Sequence, residues 1–271
     1  MAKSNLIMEI KTKEFFTLVT GASAGLGKQI AIECAKRGFN LYLVSLPKTG
    51  LEDFADELNE TYKVKVEYLS IDLTRKKAPQ KVFNFARKKN LSVNILVNNA
   101  GIGFNGKLED LTHELIDTMV LLNVRAATLL TFLFLPEMKE MEKAYILNIS
   151  SFAGLSPLPN KSVYAATKSY ILFFTQSLNE ELKGTNISVT SIHPNGIRTE
   201  RANERINKSG LMARIAALSP EDVANVAIQN MLEGNKFVIP GTMSKVYYYL
   251  GSSLPHGLVL KIVGLVFRKT A

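Results

Sequence analysis

Tyr164 and Lys168 stand four residues apart in the run Ser162-Val163-Tyr164-Ala165-Ala166-Thr167-Lys168, which opens a helix-length segment reaching to about Lys183. In a helix that spacing puts both side chains on one face. A cation near a phenol favours the phenolate and lowers a pKa that is otherwise ~10, giving a group that donates and accepts a proton near neutral pH. Alone, the pair equally describes a solvated helix face. A second chemical signal is Thr20-Gly21-Ala22-Ser23-Ala24-Gly25-Leu26-Gly27, which follows an apolar run and opens another helical pattern. Glycine there permits a tight turn and close approach of backbone to phosphate. The helix N-terminus adds free N–H groups and a positive dipole end. The spacing is G-x-x-x-G-x-G rather than the commoner G-x-G-x-x-G, so the turn needs company to be read.

A rival lies in the same letters. Gly21-Ala22-Ser23-Ala24-Gly25 fits the G-x-S-x-G nucleophile elbow of α/β-hydrolases, and Asp222 and His256 follow in Ser…Asp…His order. Against it, the turn comes too early for upstream strands and an oxyanion loop to precede it. His256 also falls in a turn flanked by Pro255 and Gly257.

The elements that must position these residues alternate along the whole chain. Strand-like apolar runs occur at Phe15–Thr20, Leu41–Val44, Val64–Ile71, Ile95–Asn98, Ala144–Ile149, Ile187–His193 and Phe237–Ile239. Between them, apolar residues at three- and four-residue spacing predict helices at Leu26–Arg37, Leu51–Glu60, Val82–Lys89 and Leu115–Leu135. The expectation is an α/β fold: one doubly wound, Rossmann-type parallel sheet of about seven strands with helices on both faces. No repeat, low-complexity tract or linker divides residues 1–271. Asn195–Ser219, beyond the sixth strand, is expected to be a substrate lid, and residues 241–271 an apolar extension.

The chain has 271 residues, 33 Lys+Arg and 24 Asp+Glu, a formal charge of +9; 46% of it is apolar and 21% charged. This is a globular composition. One cysteine, Cys34, and three histidines exclude a disulfide scaffold and argue against a Cys/His zinc site, so no metal is expected. The N-terminus lacks the apolar core of a signal peptide, and no run reaches the ~18 apolar residues of a membrane span. A reducing, cytoplasmic setting is expected. No stripe of basic and aromatic residues suits nucleic acid. The segment Leu258–Lys269 is apolar, ends in basic residues and follows Tyr247-Tyr248-Tyr249, so peripheral contact with a membrane surface is a candidate role for it.

The glycine turn, Asn98-Asn99-Ala100-Gly101, Asn148-Ile149-Ser150-Ser151 and Tyr164-x-x-x-Lys168 occur in order at the ends of successive strands. Together they resemble the short-chain dehydrogenase/reductase family over roughly residues 14–240. The resemblance implies a ketone–alcohol oxidoreductase with Tyr164 as acid/base and Lys168 tuning it and holding the nicotinamide ribose. Ser151 is implied as the serine steadying the substrate carbonyl, ahead of Ser150, and Asn123 as the anchor of a water in the proton relay. Gly21, Ser23, Gly25, Leu26 and Gly27 would cradle the pyrophosphate. Asp72 and Leu73 would meet the adenine, although Asp72 also reads as a helix cap. Asn98 would brace the sheet, with Asn99, Ala100 and Gly101 approaching the adenosine. Pro194, Gly196, Ile197 and Thr199 would meet the nicotinamide, with Asn195 replacing the usual glycine and tolerating positive φ if the turn demands it.

On the family pattern, the second strand of an NAD enzyme ends in an acid that binds the ribose 2′-OH and repels a 2′-phosphate. That position is Ser45 here, and Lys48 follows three residues later, although Leu46 and Ala24 are not the basic residues common in NADP enzymes. NADP is therefore expected, with NAD as the alternative, and reduction as the working direction. Leu211, Met212, Ile215 and Leu218 of the lid, with Phe104 and Leu155, suggest an apolar carbonyl substrate such as a 3-oxoacyl compound. These residues read equally well as core. The resemblance also implies a homodimer or homotetramer. Beside the reductase stand the Ser23 hydrolase and a non-catalytic dinucleotide-binding or lipid-associated protein.

Overall fold

Seven parallel strands pair into one sheet in the order β3-β2-β1-β4-β5-β6-β7. They are β1 (Phe15–Thr20), β2 (Asn40–Ser45), β3 (Val66–Ser70), β4 (Ser92–Asn98), β5 (Ala144–Ile149), β6 (Ile187–Ile192) and β7 (Phe237–Val238). The structure, a computed structural model, describes residues 14–207, 211–252 and 257, without the side chains of Arg201, Arg205, Leu211, Met212, Ala213 and Ser252. The inner strands are apolar almost throughout because both faces are covered. Val19 points into one core with Leu26, Ile30 and Phe54, while neighbouring Leu18 points into the other with Leu96, Leu130 and Phe134. The first core is closed by α1 (Gly25–Lys36), α2 (Leu51–Tyr62) and α8 (Pro220–Leu232). The second is closed by α3 (Ala78–Lys88), α4 (His113–Lys139) and α5 (Ser162–Glu181). After β3 the chain crosses back to place β4 beside β1, and the reversal of winding opens a crevice at the carboxyl ends of these two strands.

The expected fold class holds, with boundaries that polar side chains moved. β2 starts at Asn40, whose Oδ1 accepts from Lys65 N at 3.0 Å while its Nδ2 donates to the Phe15 carbonyl at 3.3 Å. β4 starts at Ser92 and runs through the buried Asn94, which breaks the apolar run. The pairing of β1 with β4 shifts register between Phe16 and Thr17, so one extra residue is absorbed there.

α4 is long and apolar enough to pass for a membrane span, contrary to the expectation from uninterrupted apolar runs. It is a layer of this sheet: Leu130, Phe134 and Met138 are buried in the second core. Its middle, Leu121–Ala126, is a π-helical turn. Val120 and Phe132 on its outer side, with Tyr170 and Phe173 of α5, are exposed. Cys34 is buried in α1, and burial pushes its thiol up to about 12, so it is a packing group rather than a nucleophile.

A buried polar ladder ties both helices to the sheet. Asn98 Nδ2 donates to Asn148 Oδ1 at 2.8 Å and to Thr131 Oγ1 at 3.1 Å, and Asn148 Nδ2 donates to Thr175 Oγ1 at 2.9 Å. Asn98 therefore braces the sheet as expected, with Asn148 as its relay to α5. The segment Asn195–Ser219 holds two helices, α6 (Glu200–Asn207) and α7 (Leu211–Ala216), and a last helix, α9 (Thr242–Ser252), follows β7. The remainder of the expected tail, Leu258–Lys269, lies outside the described residues.

Replacing Asn148 by Ala strips the ladder of its central donor and acceptor. A loss of about 2–3 kcal/mol in unfolding free energy is expected from urea titration, against under about 0.5 kcal/mol for an exposed control.

Candidate active site

The glycine turn bends where β1 meets α1. Gly21 and Gly25 have φ of +67° and +54°, a region costly for residues with a Cβ. A Cβ on Gly27 would lie 2.1 Å from the Gly21 carbonyl oxygen, and one on Gly21 would touch Ala100 and Asn99 at 3.0 Å. The turn is pinned from the β4 side: Thr20 Oγ1 accepts from the backbone N–H groups of Asn99 and Ala100, both at 3.0 Å, and donates to the Val97 carbonyl at 3.1 Å. Asn99 Nδ2 donates to the carbonyls of Thr20 at 2.8 Å and Gly21 at 3.3 Å. Ala24 and the first turn of α1, including Leu26 and Gly27, carry neither a side-chain cap nor an acid. Their N–H groups and the helix dipole suit a phosphate.

Ser23 Oγ lies 2.6 Å from Ser45 Oγ at the end of β2, so a pair of hydroxyls stands where an acid would bar a 2′-phosphate. Among the described residues no imidazole is paired with Ser23, and His256 lies outside them. Lys48 is exposed in the following turn, with φ +62°. Asp72 does not cap α3, whose N-cap is Lys77. Its Oδ1 instead accepts from Thr74 N and Oγ1 at 3.0 and 2.7 Å, and its Oδ2 meets Arg75 at 3.2 Å. Partial burial pushes this carboxyl up, but the Thr74 bonds and the Arg75 charge outweigh it and hold it below the usual range. Leu73 is buried beside Ala100, Leu122 and Ala126, lining a narrow crevice against α4.

Across the crevice, α5 carries Tyr164 and Lys168. Lys168 is buried, its Nζ donates to the Ile149 carbonyl at 2.8 Å and lies 6.0 Å from the Tyr164 ring centre. Burial lowers its pKa to about 8. The Ser150 hydroxyl is committed to the Lys168 carbonyl at 2.8 Å, whereas Ser151 Oγ accepts from Ala153 N at 3.1 Å and keeps its proton to donate. The π-turn carries Asn123, whose Oδ1 accepts from Ile102 N at 2.9 Å and whose Nδ2 donates to Ile102 O at 2.8 Å and Thr167 Oγ1 at 3.0 Å. Gly101 sits against both: a Cβ there would lie 3.0 Å from Asn123 Oδ1 and 3.3 Å from Lys168 Nζ.

The segment after β6 completes the rim. Pro194 O accepts from Phe152 N at 2.8 Å. Gly196 O accepts from Leu218 N at 2.9 Å, and Ile197 pairs with Leu218 in a parallel bridge. Thr199 lies against Gly25, where a Cβ would be 3.2 Å from its Cγ2. Asn195 is not among the residues with positive φ, so this turn needs no glycine there. Phe104, with Leu111, Met119 and Val163, lines a second crevice beside Tyr164, and Leu155 is half-buried nearby in the turn after β5. Ile215 is exposed, Leu218 is half-buried at the lid base, and the Leu211 and Met212 side chains fall outside the described residues.

Five contributors escaped the sequence reading. Gly103 and Gly154 carry no motif of their own, yet a Cβ would lie 2.8 Å from the Tyr164 ring and 2.7 Å from the Lys168 carbonyl carbon, respectively. Thr20 and Thr167 matter through contacts made at long range, to Asn99 and Ala100 and to Asn123. His193, fully buried at the end of β6, had the nearest thing to a signal, a histidine before Pro194. Its Nε2 pairs with Ser191 Oγ at 3.0 Å and its ring lies 4.6 Å from that of Phe237. Burial lowers its pKa to about 4; the Ser151 backbone partly offsets this and the Lys168 charge reinforces it.

A cradle that a Cβ would fill, uncapped helix N–H groups and a Tyr–Lys pair at the switch point of a parallel sheet fit a nicotinamide dinucleotide, and define an oxidoreductase of Rossmann type. Residues 16–210 match the short chain dehydrogenase family, and the chain belongs to it as a dehydrogenase/reductase with an NAD(P)-binding fold. It is 32% identical over 256 residues to the human very-long-chain 3-oxoacyl-CoA reductase, covering 92% of this chain and 78% of the human one. It is 34% identical over 195 residues to the zebrafish (Danio rerio) very-long-chain 3-oxoacyl-CoA reductase-A, covering 70% of this chain and 60% of that protein's length. A short-chain dehydrogenase from Sphingobium yanoikuyae, solved in complex with NADPH, superposes with a TM-score of 0.77 at 30% identity, covering 89% and 96% of the two chains. Family membership removes the Ser23 hydrolase.

Because His193 is neutral in the fold and titrates near 6.5 when unfolded, the unfolded chain binds the extra proton between pH 6.5 and 4. Stability is therefore full above pH 6.5 and is lost as pH falls toward 4, by on the order of 3 kcal/mol from this group. Chemical denaturation at pH 7, 5.5 and 4.5 should show a shallower acid loss in His193→Gln than in the parent.

Proposed function

We propose that the protein uses NADP(H) to reduce an apolar, lipid-like ketone, such as a 3-oxoacyl compound, to its alcohol. What supports the assignment of roles is that Lys168 Nζ lies 6.0 Å from the Tyr164 ring, with both side chains against the glycines that follow β4, while Ser150 is tied away by its own hydrogen bond and Ser151 is not. The bound dinucleotide supplies the hydride. Ser151 donates to the substrate carbonyl oxygen and holds it as negative charge grows there, and Tyr164 delivers the proton. Lys168 keeps the phenol acidic through its charge and holds the ribose. Asn123, fixed by Ile102 and Thr167, sets the helix turn that anchors the relay water.

The hydroxyl pair of Ser23 and Ser45 supports NADP, since no carboxylate there repels a 2′-phosphate, and Lys48 is within a turn of it. The NADPH complex of the Sphingobium relative points the same way. Phe104, Leu111, Met119 and Val163 beside Tyr164 support an apolar substrate, as do the very-long-chain 3-oxoacyl-CoA reductases among its relatives. A homodimer or homotetramer goes with this reading. Val120, Phe132, Tyr170 and Phe173 leave an apolar face on α4 and α5 suited to its own symmetric copy.

Fluorescence titration should give NADPH binding at least about tenfold tighter than NADH, and Ser45→Asp should reverse the order by charge repulsion. Equal or NADH-favoring affinity in the parent would overturn the cofactor assignment. Tyr164→Phe should keep NADPH affinity and lower turnover of hydrophobic ketones by more than about a hundredfold. Binding with no turnover across a 3-oxoacyl and ketone panel in the parent would leave a dinucleotide-binding protein instead. Light scattering should show a dimer or tetramer that Phe132→Asp with Phe173→Asp converts to a monomer.

A further inference from the structure

We propose that the outer face of α9 docks on an anionic phospholipid surface, with Ile215 of α7 beside it. Val246, Tyr249 and Leu250 recur at three- and four-residue spacing and are 42%, 64% and 64% exposed, with Lys245 exposed alongside. Ser244, on the inner side, is buried. α7 packs against α9 and adds Ile215 at 52% exposure. A short helix with an apolar strip, tyrosine and lysine together suits the boundary between headgroups and acyl chains.

Charge names the occupant. Residues 195–219 and 234–271 hold ten basic and two acidic side chains, whereas the other 208 residues hold 23 and 22. Nearly all of the +9 thus belongs to the lid segment and the stretch that includes α9. Such a surplus of positive charge is attracted to the negative surface potential of anionic lipid. A soluble apolar partner would not call for it.

The strip is also anchored to the sheet. Tyr249 lies 5.4 Å from Tyr248, Tyr248 lies 5.4 Å from Phe237 of β7, and Phe237 lies 4.6 Å from His193 at the end of β6. These ring contacts fix the outer face of α9 relative to the strand end that bears the active-site crevice. A docked molecule would therefore hold its lid segment at the lipid surface. Docking stands apart from the cofactor and substrate reading, because partition is measured without turnover.

The test is flotation of the full chain with vesicles of phosphatidylcholine alone or mixed with phosphatidylglycerol. The parent should float with the anionic vesicles and much less with neutral ones, and added salt should release it. The V246S/Y249S/L250S variant should lose at least about tenfold in partition while its far-UV circular dichroism and NADPH titration stay unchanged. If that variant is unstable, Lys245→Glu should still weaken anionic-vesicle binding alone. Absence of parent flotation, or equal flotation of parent and both variants, would overturn the proposal. So would loss of flotation only on deleting residues 253–271. A dimer-to-monomer change in the triple variant with flotation intact would assign the face to a second copy instead.

Discussion

An ammonium group buried at the end of β5 sets the terms for the rest of the molecule. Lys168 loses its hydration, and its pKa falls from 10.5 to about 8, yet it must stay within reach of Tyr164. The Ile149 carbonyl is its hydrogen-bonding compensation, and that contact requires α5 to press directly on the strand end. Gly154 makes the approach possible, Ser150 clamps the Lys168 carbonyl, and Gly101 leaves room for the ammonium itself. The Asn98–Asn148–Thr175 ladder holds the same helix farther along. An unfolded chain keeps this proton between pH 8 and 10.5 while the native one sheds it, so this group's contribution to stability is lower below pH 8 than above 10.5. The site is thus maintained against a stability cost that the surrounding packing offsets.

The sheet was legible because a strand covered on both faces can be read from a short apolar run, and seven such runs separated by helical patterns leave few topologies. What blurred its edges was polar chemistry inside strands. Asn40 bonds to Phe15 and Lys65 through its side chain, so an asparagine enters β2 without an unpaired group. Asn94 does not interrupt β4, though it interrupts the pattern. In α4 the periodicity was visible while the π-turn was not, since nothing in Leu121–Ala126 announces an extra residue in the turn.

The chemical residues were legible for a different reason: each sits in a short motif whose spacing is local. Their supports are not. Gly103 matters because Tyr164 arrives from another helix, and His193 because β6 ends beneath Ser151 and Lys168. Asn195 shows the converse. Its replacement of a glycine suggested a strained turn, but the backbone there needs no left-handed residue. The helices after β6 went unread because Glu200–Asn207 is mostly polar, with only Ala202 and Ile206 on its apolar side.

Ile197 and Leu218 close the segment after β6 at its base, with Arg198 N and Leu218 N bonded across the join. A segment whose two ends are already stapled can change in length between them at a small cost in closure entropy. Doubling the length of an enclosed flexible loop raises its closure cost by only about 0.6 kcal/mol. Changes in length within this segment, away from Thr199 and the buried Ile206 and Ala216, therefore leave the strand ends and the tyrosine helix largely undisturbed. The molecule is built so that this segment can change in length while the strand ends beside it keep their form.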